Sequence, residues 1–272
     1  MIVGGTDRYL ALGDSFTEGV GDDKKHWPNG VKGWADRVAE GLARDAPGWE
    51  YANLAVRSKR LRHVAAEQLE AAMDPKPTLV TLYAGGNDVM DVGTSMARIL
   101  QEYESLVARL AQSGAAPLLF TGYDVEVSPP LAPLRSKNHA YNDGIRTIAA
   151  KYGATVVDYA SWTAYENPAM WCSDRLHMSK RRHKYLAGRV LDLLEVPHGI
   201  SLKDKSHPPT TWKHRAYGHY RWYMEWVVPL IGRKMRRTTL GDSLGPRWPE
   251  PVRVPPKKGL RKLVRASLQA TR

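Results

Sequence analysis

Short apolar segments alternate with segments of helical periodicity over the first 200 residues, and this alternation limits the fold more than any other feature. Each apolar segment has four to six residues, as expected for strands buried on both faces of a parallel sheet. Helices that follow strands this regularly are typical of crossover connections. The sequence therefore predicts a three-layer α/β/α sandwich around five parallel strands, at residues 9–12, 51–54, 78–83, 117–121 and 155–158.

Apolar residues spaced three or four positions apart predict five helices between and after these strands. The first contains Trp34, Val38 and Leu42, and the last runs over about residues 178–194. Two polar segments, residues 21–32 and 123–137, interrupt the pattern. Because ligands of open α/β sheets bind beyond the carboxyl ends of the strands, we expect both segments to overhang a site.

Positive charge is concentrated at the end of the chain. Residues 201–272 contain 17 Lys and Arg against 4 Asp and Glu, whereas residues 1–200 contain 23 against 24. We therefore expect a near-neutral globular domain over residues 1–200 and a basic, Trp-rich extension over residues 201–272. Trp222, Trp226 and Leu230 share a helical face, which predicts a helix over about residues 211–237. The basic, Pro-rich sequence beyond Gly241 predicts a mobile end.

The composition of the extension is consistent with three roles. Its helix could pack on the domain, lie on anionic lipid headgroups, or bind nucleic acid. A nucleic-acid-binding fold is disfavoured because the domain itself is near-neutral. An anionic membrane surface is therefore the macromolecular partner that we expect if the helix does not simply pack.

Cysteine usage and hydropathy bear on the compartment. The single cysteine, Cys172, cannot form an internal disulfide, so an oxidising compartment is not required. No run of 18 apolar residues is present, and the first predicted strand begins at residue 9, too early for a secretory leader. We expect a cytoplasmic protein. The histidines have no metal-ligand spacing, so no metal or cofactor is expected.

Three short segments combine residues that suit acyl transfer. Gly13-Asp14-Ser15 follows the first strand, Gly85-Gly86-Asn87-Asp88 follows the third, and Asp174-Arg175-Leu176-His177 precedes the last helix. Each segment alone also has an ordinary structural interpretation as a turn or a helix cap. Together they predict a nucleophile, a neutral amide donor and an oriented base, because the fold brings all three to one edge of the sheet.

The spacing within the last segment suits a general base. Three residues in a turn let the Asp174 carboxylate reach the Nδ1–H group of His177, which leaves Nε2 free to accept a proton. The Asn87 side chain offers an uncharged N–H donor for a developing oxyanion, provided that strands one and three are neighbours.

These segments resemble the blocks of the SGNH (GDSL-type) esterase and lipase superfamily. The resemblance covers about residues 8–196, with the blocks in the family's order and at similar spacing. It implies a flavodoxin-like sheet, Ser15 as nucleophile, His177 as base and Asp174 as its orienting acid. It also implies an oxyanion hole formed by the Ser15 N–H, a second-block N–H and the Asn87 side chain, with Asp14 and Gly86 in support.

The second block departs from the family pattern. In Asn53-Leu54-Ala55-Val56-Arg57-Ser58, Ser58 occupies the position where the family usually has the oxyanion glycine. The exchange keeps a backbone N–H but loses easy access to positive φ, which costs a non-glycine residue about 1 kcal/mol or more. We expect a hole that is present with altered geometry or partly obstructed by the Ser58 side chain.

The sequence as a whole predicts a serine hydrolase acting on a carboxylic ester of a small molecule or lipid. Two alternatives stay open. One is a hydrolase fold that has become a binding module, which the departure at Ser58 motivates. The other is a protein whose basic extension, residues 201–272, recruits it to an anionic membrane or to nucleic acid.

Overall fold

The structure, a computed structural model, describes residues 7–91, 93–123, 129–202 and 239–270. Its centre is a six-stranded sheet in the order β5-β4-β3-β1-β2-β6. Strands β1 to β5 are parallel, and β6 pairs antiparallel with β2. The strands are β1 Arg8–Gly13, β2 Glu50–Asn53, β3 Leu79–Tyr83, β4 Ala116–Phe120, β5 Thr155–Val157 and β6 Trp248–Arg253.

Helices cover both faces of the sheet, as the alternating pattern predicted. The helices are α1 Ser15–Glu18, α2 Trp34–Asp45, α3 Leu61–His63, α4 Leu69–Met73, α5 Gly86–Val89, α6 Met96–Gln112, α7 Arg135–Tyr152, α8 Lys180–Leu193 and α9 Leu260–Ala270. A π-helical turn, Val64–Gln68, joins α3 to α4. The bounds of α8 agree with the prediction of residues 178–194.

Alternate residues of β1 supply two separate cores. Tyr9 and Ala11 belong to one core with residues of α2, α8 and α9, and Leu10 and Leu12 belong to the other with residues of α6 and α7. A strand whose successive side chains point to opposite faces needs apolar residues at every position when both faces are covered. The predicted three-layer α/β/α architecture is confirmed.

The number of strands is the part of the fold prediction that was wrong. The sheet has a sixth strand, β6, contributed by the extension rather than by residues 1–200. Its sequence contains Pro249 and Pro251, which remove ladder donors and argue against a strand. Proline is tolerated here because β6 is an edge strand with only β2 as neighbour.

The segment beyond Gly241 also differs from the expectation of a mobile end. Val254 and Leu260 are fully buried, and Val264 of α9 is 5% exposed. The Arg247 guanidinium is fully buried and donates to Asp36 Oδ2 at 2.7 Å and to the carbonyl of Glu18 at 2.5 Å. Removing one partner of such a buried pair strongly destabilises a protein. Residues 247–264 are therefore an integral part of the sandwich.

The helix predicted over residues 211–237 lies outside the described residues. Among those that the structure describes, no helix is long and apolar enough to cross a bilayer.

Candidate active site

Ser15 lies at the carboxyl edge of the sheet, as the first residue of α1 immediately after β1 and Asp14. Gly13 turns the chain with φ +147°, and a Cβ there would lie 2.1 Å from the carbonyl oxygen of Tyr83. Only glycine allows this close approach of β1 to β3. The Gln68 side chain accepts a hydrogen bond from the Gly13 N–H and donates one to the Gly13 carbonyl, each at 2.9 Å. The position of Ser15 is thus fixed by β3 on one side and by the Gln68 side chain on the other.

Asp174, His177 and Ser15 form a continuous hydrogen-bonded chain. His177 Nδ1 lies 2.6 Å from Asp174 Oδ2, and His177 Nε2 lies 3.0 Å from Ser15 Oγ. Ser15 is buried, with 6% of the residue exposed. These distances are those expected for a nucleophile, a base and an orienting acid.

The loop before α8 is built to hold the Asp174 carboxylate. Its Oδ1 accepts hydrogen bonds from the backbone N–H groups of Leu176 and His177, each at 2.9 Å. Arg175 makes the turn with φ +57°. Burial alone would raise the pKa of Asp174, but its hydrogen bonds with the side chain and backbone of His177 outweigh burial and lower it. Asp174 is therefore held as a carboxylate.

Asn87 lies between the first and second blocks. Its Nδ2 donates to the carbonyl of Lys59 at 2.9 Å and to Asp14 Oδ2 at 3.3 Å. Lys59 directly follows Ser58, and Asp14 directly precedes Ser15. The amide of Asn87 therefore contacts the sequence neighbours of Ser15 and Ser58, the two residues whose N–H groups the sequence predicted as its oxyanion partners.

Ser58 adopts the left-handed conformation that favours glycine, with φ +67°. The turn is closed by a hydrogen bond of 3.4 Å from Lys59 N to Val56 O. Its neighbour Arg57 is anchored by buried Glu18, which accepts from the Arg57 N–H at 2.7 Å and from its guanidinium at 2.8 and 2.9 Å. Among the described residues, the N–H groups of Ser15 and Ser58 donate to no protein acceptor.

Asp14 is a buried acid directly before Ser15, with 1% of its surface exposed. Its Oδ1 accepts from the Phe16 N–H at 3.1 Å and caps α1. Burial raises the pKa of Asp14 to about 7, because the charged form loses its solvation. Asp14 consequently changes charge near neutral pH.

The residues of this site lie within a match to a known protein family. The model of the GDSL-like lipase/acylhydrolase family matches residues 11–185, which include Ser15, Asn87, Asp174 and His177. The chain belongs to the GDSL-like lipase/acylhydrolase family. The resemblance inferred from the motifs is thus confirmed, and membership supports hydrolysis of an ester bond as the general activity.

Solved structures, two of them of proteins named as esterases, share the fold. TesA is 21% identical with a TM-score of 0.58, and the alignment covers 70% of this chain and 98% of TesA. Axe2, an acetylxylan esterase from Geobacillus stearothermophilus, is 22% identical with a TM-score of 0.59, covering 72% and 98%. The psychrotrophic esterase EstA from Pseudoalteromonas sp. is 17% identical with a TM-score of 0.57, covering 70% and 97%. No curated protein sequence matches.

A small apolar cavity of about 40 Å³ lies against Phe16, the residue after Ser15, in this GDSL-type domain. Phe16, Gly86 and Leu176 line it, together with Tyr83 and Tyr123. Phe16 directly follows Ser15, and Leu176 directly precedes His177. The cavity is therefore lined by residues that flank Ser15 and His177 in the sequence.

Several positioning residues of this family member were not found from the sequence. Gln68, Glu18, Arg57 and Arg247 each hold a block in place through contacts between distant segments. Glu18 lies within the first block, so its position in the sequence could have indicated a role in the site. Its partner Arg57 could not be identified without the fold. Gln68 and Arg247 carry no motif.

Proposed function

We propose that this protein is a serine hydrolase that cleaves a carboxylic ester through an acyl-enzyme on Ser15. The observation that carries the proposal is the chain of contacts from Asp174 through His177 to Ser15, at 2.6 and 3.0 Å. Asp174 accepts the Nδ1–H, so the lone pair of His177 Nε2 faces the Ser15 hydroxyl.

In acylation, Ser15 Oγ attacks the ester carbonyl carbon while its proton passes to His177 Nε2. Asp174 stabilises the imidazolium that forms. When the tetrahedral intermediate collapses, the same proton moves to the leaving alkoxide and the alcohol departs. Water then attacks the acyl-enzyme with His177 again as base, and the acid and free Ser15 are released.

The oxyanion of each intermediate would be held by the N–H groups of Ser15 and Ser58 and by Asn87. Preorganised donors of this kind are worth about 100- to 1000-fold each in turnover. The longer bond of Asn87, 3.3 Å to Asp14, is the one that it would exchange for the oxyanion, while the bond to Lys59 keeps the amide in place. A protonated Asp14 would reduce the negative charge beside this oxyanion.

The cavity beside Phe16 and Leu176 supports a short acyl group. Its volume of about 40 Å³ exceeds that needed for one water molecule but is too small for a long chain. We expect acetyl and propionyl esters to be hydrolysed faster than octanoyl esters of the same alcohol.

A fluorophosphonate probe tests the nucleophile. The wild type should be labelled, Ser15→Ala and His177→Ala should not, and Ser173→Ala should be labelled like the wild type. Ser173 is a matched control because it is exposed and lies on the loop of Asp174. Labelling of Ser15→Ala would exclude Ser15 as the nucleophile.

An ester panel tests turnover. With nitrophenyl esters of increasing acyl length, the kcat of Ser15→Ala should be lower than that of the wild type by at least about 10⁴-fold. Absence of turnover in the wild type, with no labelling by the probe, would favour a binding module instead. Equal rates for acetyl and octanoyl esters would contradict the assignment of the cavity without affecting Ser15.

A further inference from the structure

A basic cleft of about 950 Å³ lies on the side of the sandwich formed by α2, α8 and α9. One wall belongs to the GDSL-type domain and contains Lys24, Lys180 and Lys184. The opposite wall belongs to the extension and contains Arg261 and Arg265 of α9. The extension lies outside the family match of residues 11–185, so the second wall is an addition to the family domain.

The described residues neutralise only part of the charge of the cleft. Ten Lys and Arg residues line it, and only Lys32 and Arg37 of these form ion pairs with described residues. Glu40, the one acidic lining residue of the described chain, is already held by Lys32 at 2.7 Å. Residues 203–238 carry nine Lys and Arg against two Asp and Glu, so their sequence offers little compensating charge.

The ammonium groups of Lys24 and Lys180 lie close enough to repel each other. The positive charge of Lys180 lowers the pKa of Lys24, which lies on the loop facing the start of α8. Backbone hydrogen bonds close this loop, from Lys24 N to Gly30 O at 2.7 Å and from Trp27 N to Lys24 O at 2.8 Å. The loop is therefore formed in advance, and an anion between Lys24 and Lys180 would relieve the repulsion.

The shape and lining of the cleft indicate the size of the ligand. Its volume falls within the range of about 300–1,000 Å³ that is typical of sites for small molecules and cofactors. Ile200, Val264 and Leu268 supply apolar surface between the cations. A concave site of this kind suits a compact molecule better than the flat surface of a bilayer.

We propose that this cleft binds a soluble small molecule that carries two or more clustered phosphate groups. Lysine and arginine are the usual ligands of phosphate oxygens, and several facing cations favour a multiply charged anion over a single phosphate. Lys180 lies three residues after His177, at the carboxyl edge where α8 begins, so the cleft opens beside the loop of the catalytic histidine. The proposal concerns binding alone and does not depend on hydrolysis at Ser15.

Calorimetric titration of the full chain with inorganic tripolyphosphate tests the site. We expect saturable binding that is much tighter than that of orthophosphate and weakens as the salt concentration rises. The double variants Lys180→Gln/Lys184→Gln and Arg261→Gln/Arg265→Gln should each weaken it by about tenfold or more. Lys262→Gln is the matched control, because Lys262 is exposed on α9 but does not line the cleft, and it should bind like the wild type.

Other outcomes would overturn the proposal. No binding at about 1 mM tripolyphosphate, or binding unchanged in both double variants, would exclude the cleft as the site. Sedimentation with phosphatidylserine vesicles that both double variants abolish and tripolyphosphate does not displace would assign the cleft to a membrane surface. Binding to duplex DNA with the same two properties would assign it to nucleic acid. If the variants in α9 fail to fold, the variants of exposed Lys180 and Lys184 still decide.

Discussion

Replacing Ser58 with glycine should stabilise the protein while leaving catalysis almost unchanged. Ser58 has φ +67°, in the region where side chains other than glycine are strained. Its hydroxyl forms no hydrogen bond with described residues, so Ser58→Gly removes no such contact. The backbone N–H, which is the group proposed to bind the oxyanion, stays in place.

The magnitude follows from two opposing contributions. Relief of the left-handed conformation is worth about 1–2 kcal/mol. The greater freedom of glycine in the unfolded chain removes about 0.4–1 kcal/mol of this gain. We therefore expect the free energy of unfolding to rise by about 0.5–1 kcal/mol, which corresponds to about 1–4 °C in Tm for a chain of this size.

Urea and thermal unfolding measure the change, and hydrolysis of nitrophenyl acetate measures kcat/KM. Lys76→Gly is the matched control, because Lys76 is exposed, has φ +52° and lies in the turn before β3, away from Ser15. Both variants should gain stability, and both should keep kcat/KM within about threefold, less than the loss of one oxyanion donor. A loss of stability in Ser58→Gly, with a gain in Lys76→Gly, would refute the view that Ser58 is strained.

Three further changes test individual polar groups. Asn87→Ala should lower kcat by about 100- to 1000-fold with little change in KM, and unchanged turnover would remove Asn87 from the oxyanion hole. The pKa of Asp14 is raised to about 7, so the stability associated with its protonated form is present below pH 3.8 and lost as pH rises through 7. As pH rises through that window, the free energy of unfolding of Asp14→Asn should therefore increase relative to that of the wild type by about 1.4 kcal/mol per pH unit. The same pH dependence of stability in both proteins would contradict this. Burial lowers the pKa of His183 to about 3, so stability present above pH 6.5 is lost as pH falls toward 3. His183→Gln can keep a donor to the Val20 carbonyl. Between pH 6.5 and 3, its free energy of unfolding in urea should fall less steeply than that of the wild type, by about 1.4 kcal/mol per pH unit. Equal slopes for the two proteins would contradict burial of His183 in its neutral form.

The convergence of Ser15 and Asn87 could be predicted from topology, because both follow strands directly, and that of Asp174 and His177 from their place in the loop between the last parallel strand and the last predicted helix. In a parallel sheet, every strand ends at the same edge, so residues that follow strands meet there whatever the details of packing. The conformational demand on Ser58 was likewise recognisable from its position in the second block. Neither inference required knowledge of which side chains touch.

The parts that could not be predicted depend on contacts between segments far apart in the chain. Nothing local indicates that Gln68 binds the backbone of Gly13 or that Arg247 pairs with Asp36. Strand β6 was not predicted because its prolines disfavour a strand. It forms nonetheless because it pairs with the edge of β2 that no other strand occupies. The cleft was also out of reach, since its walls come from Lys24, Lys180 and α9, which only the fold brings together.

The pairing of β6 with β2 has a consequence for the order of events during synthesis. Strand β2 ends at Asn53, and its partner β6 does not begin until Trp248. At about 5–20 residues per second, the nascent chain carries an uncovered sheet edge for about 10–40 seconds before the strand that covers it is made. Uncovered edges template association with other chains. Ribosome-bound intermediates that end before residue 248 are thus expected to be the most dependent on chaperones.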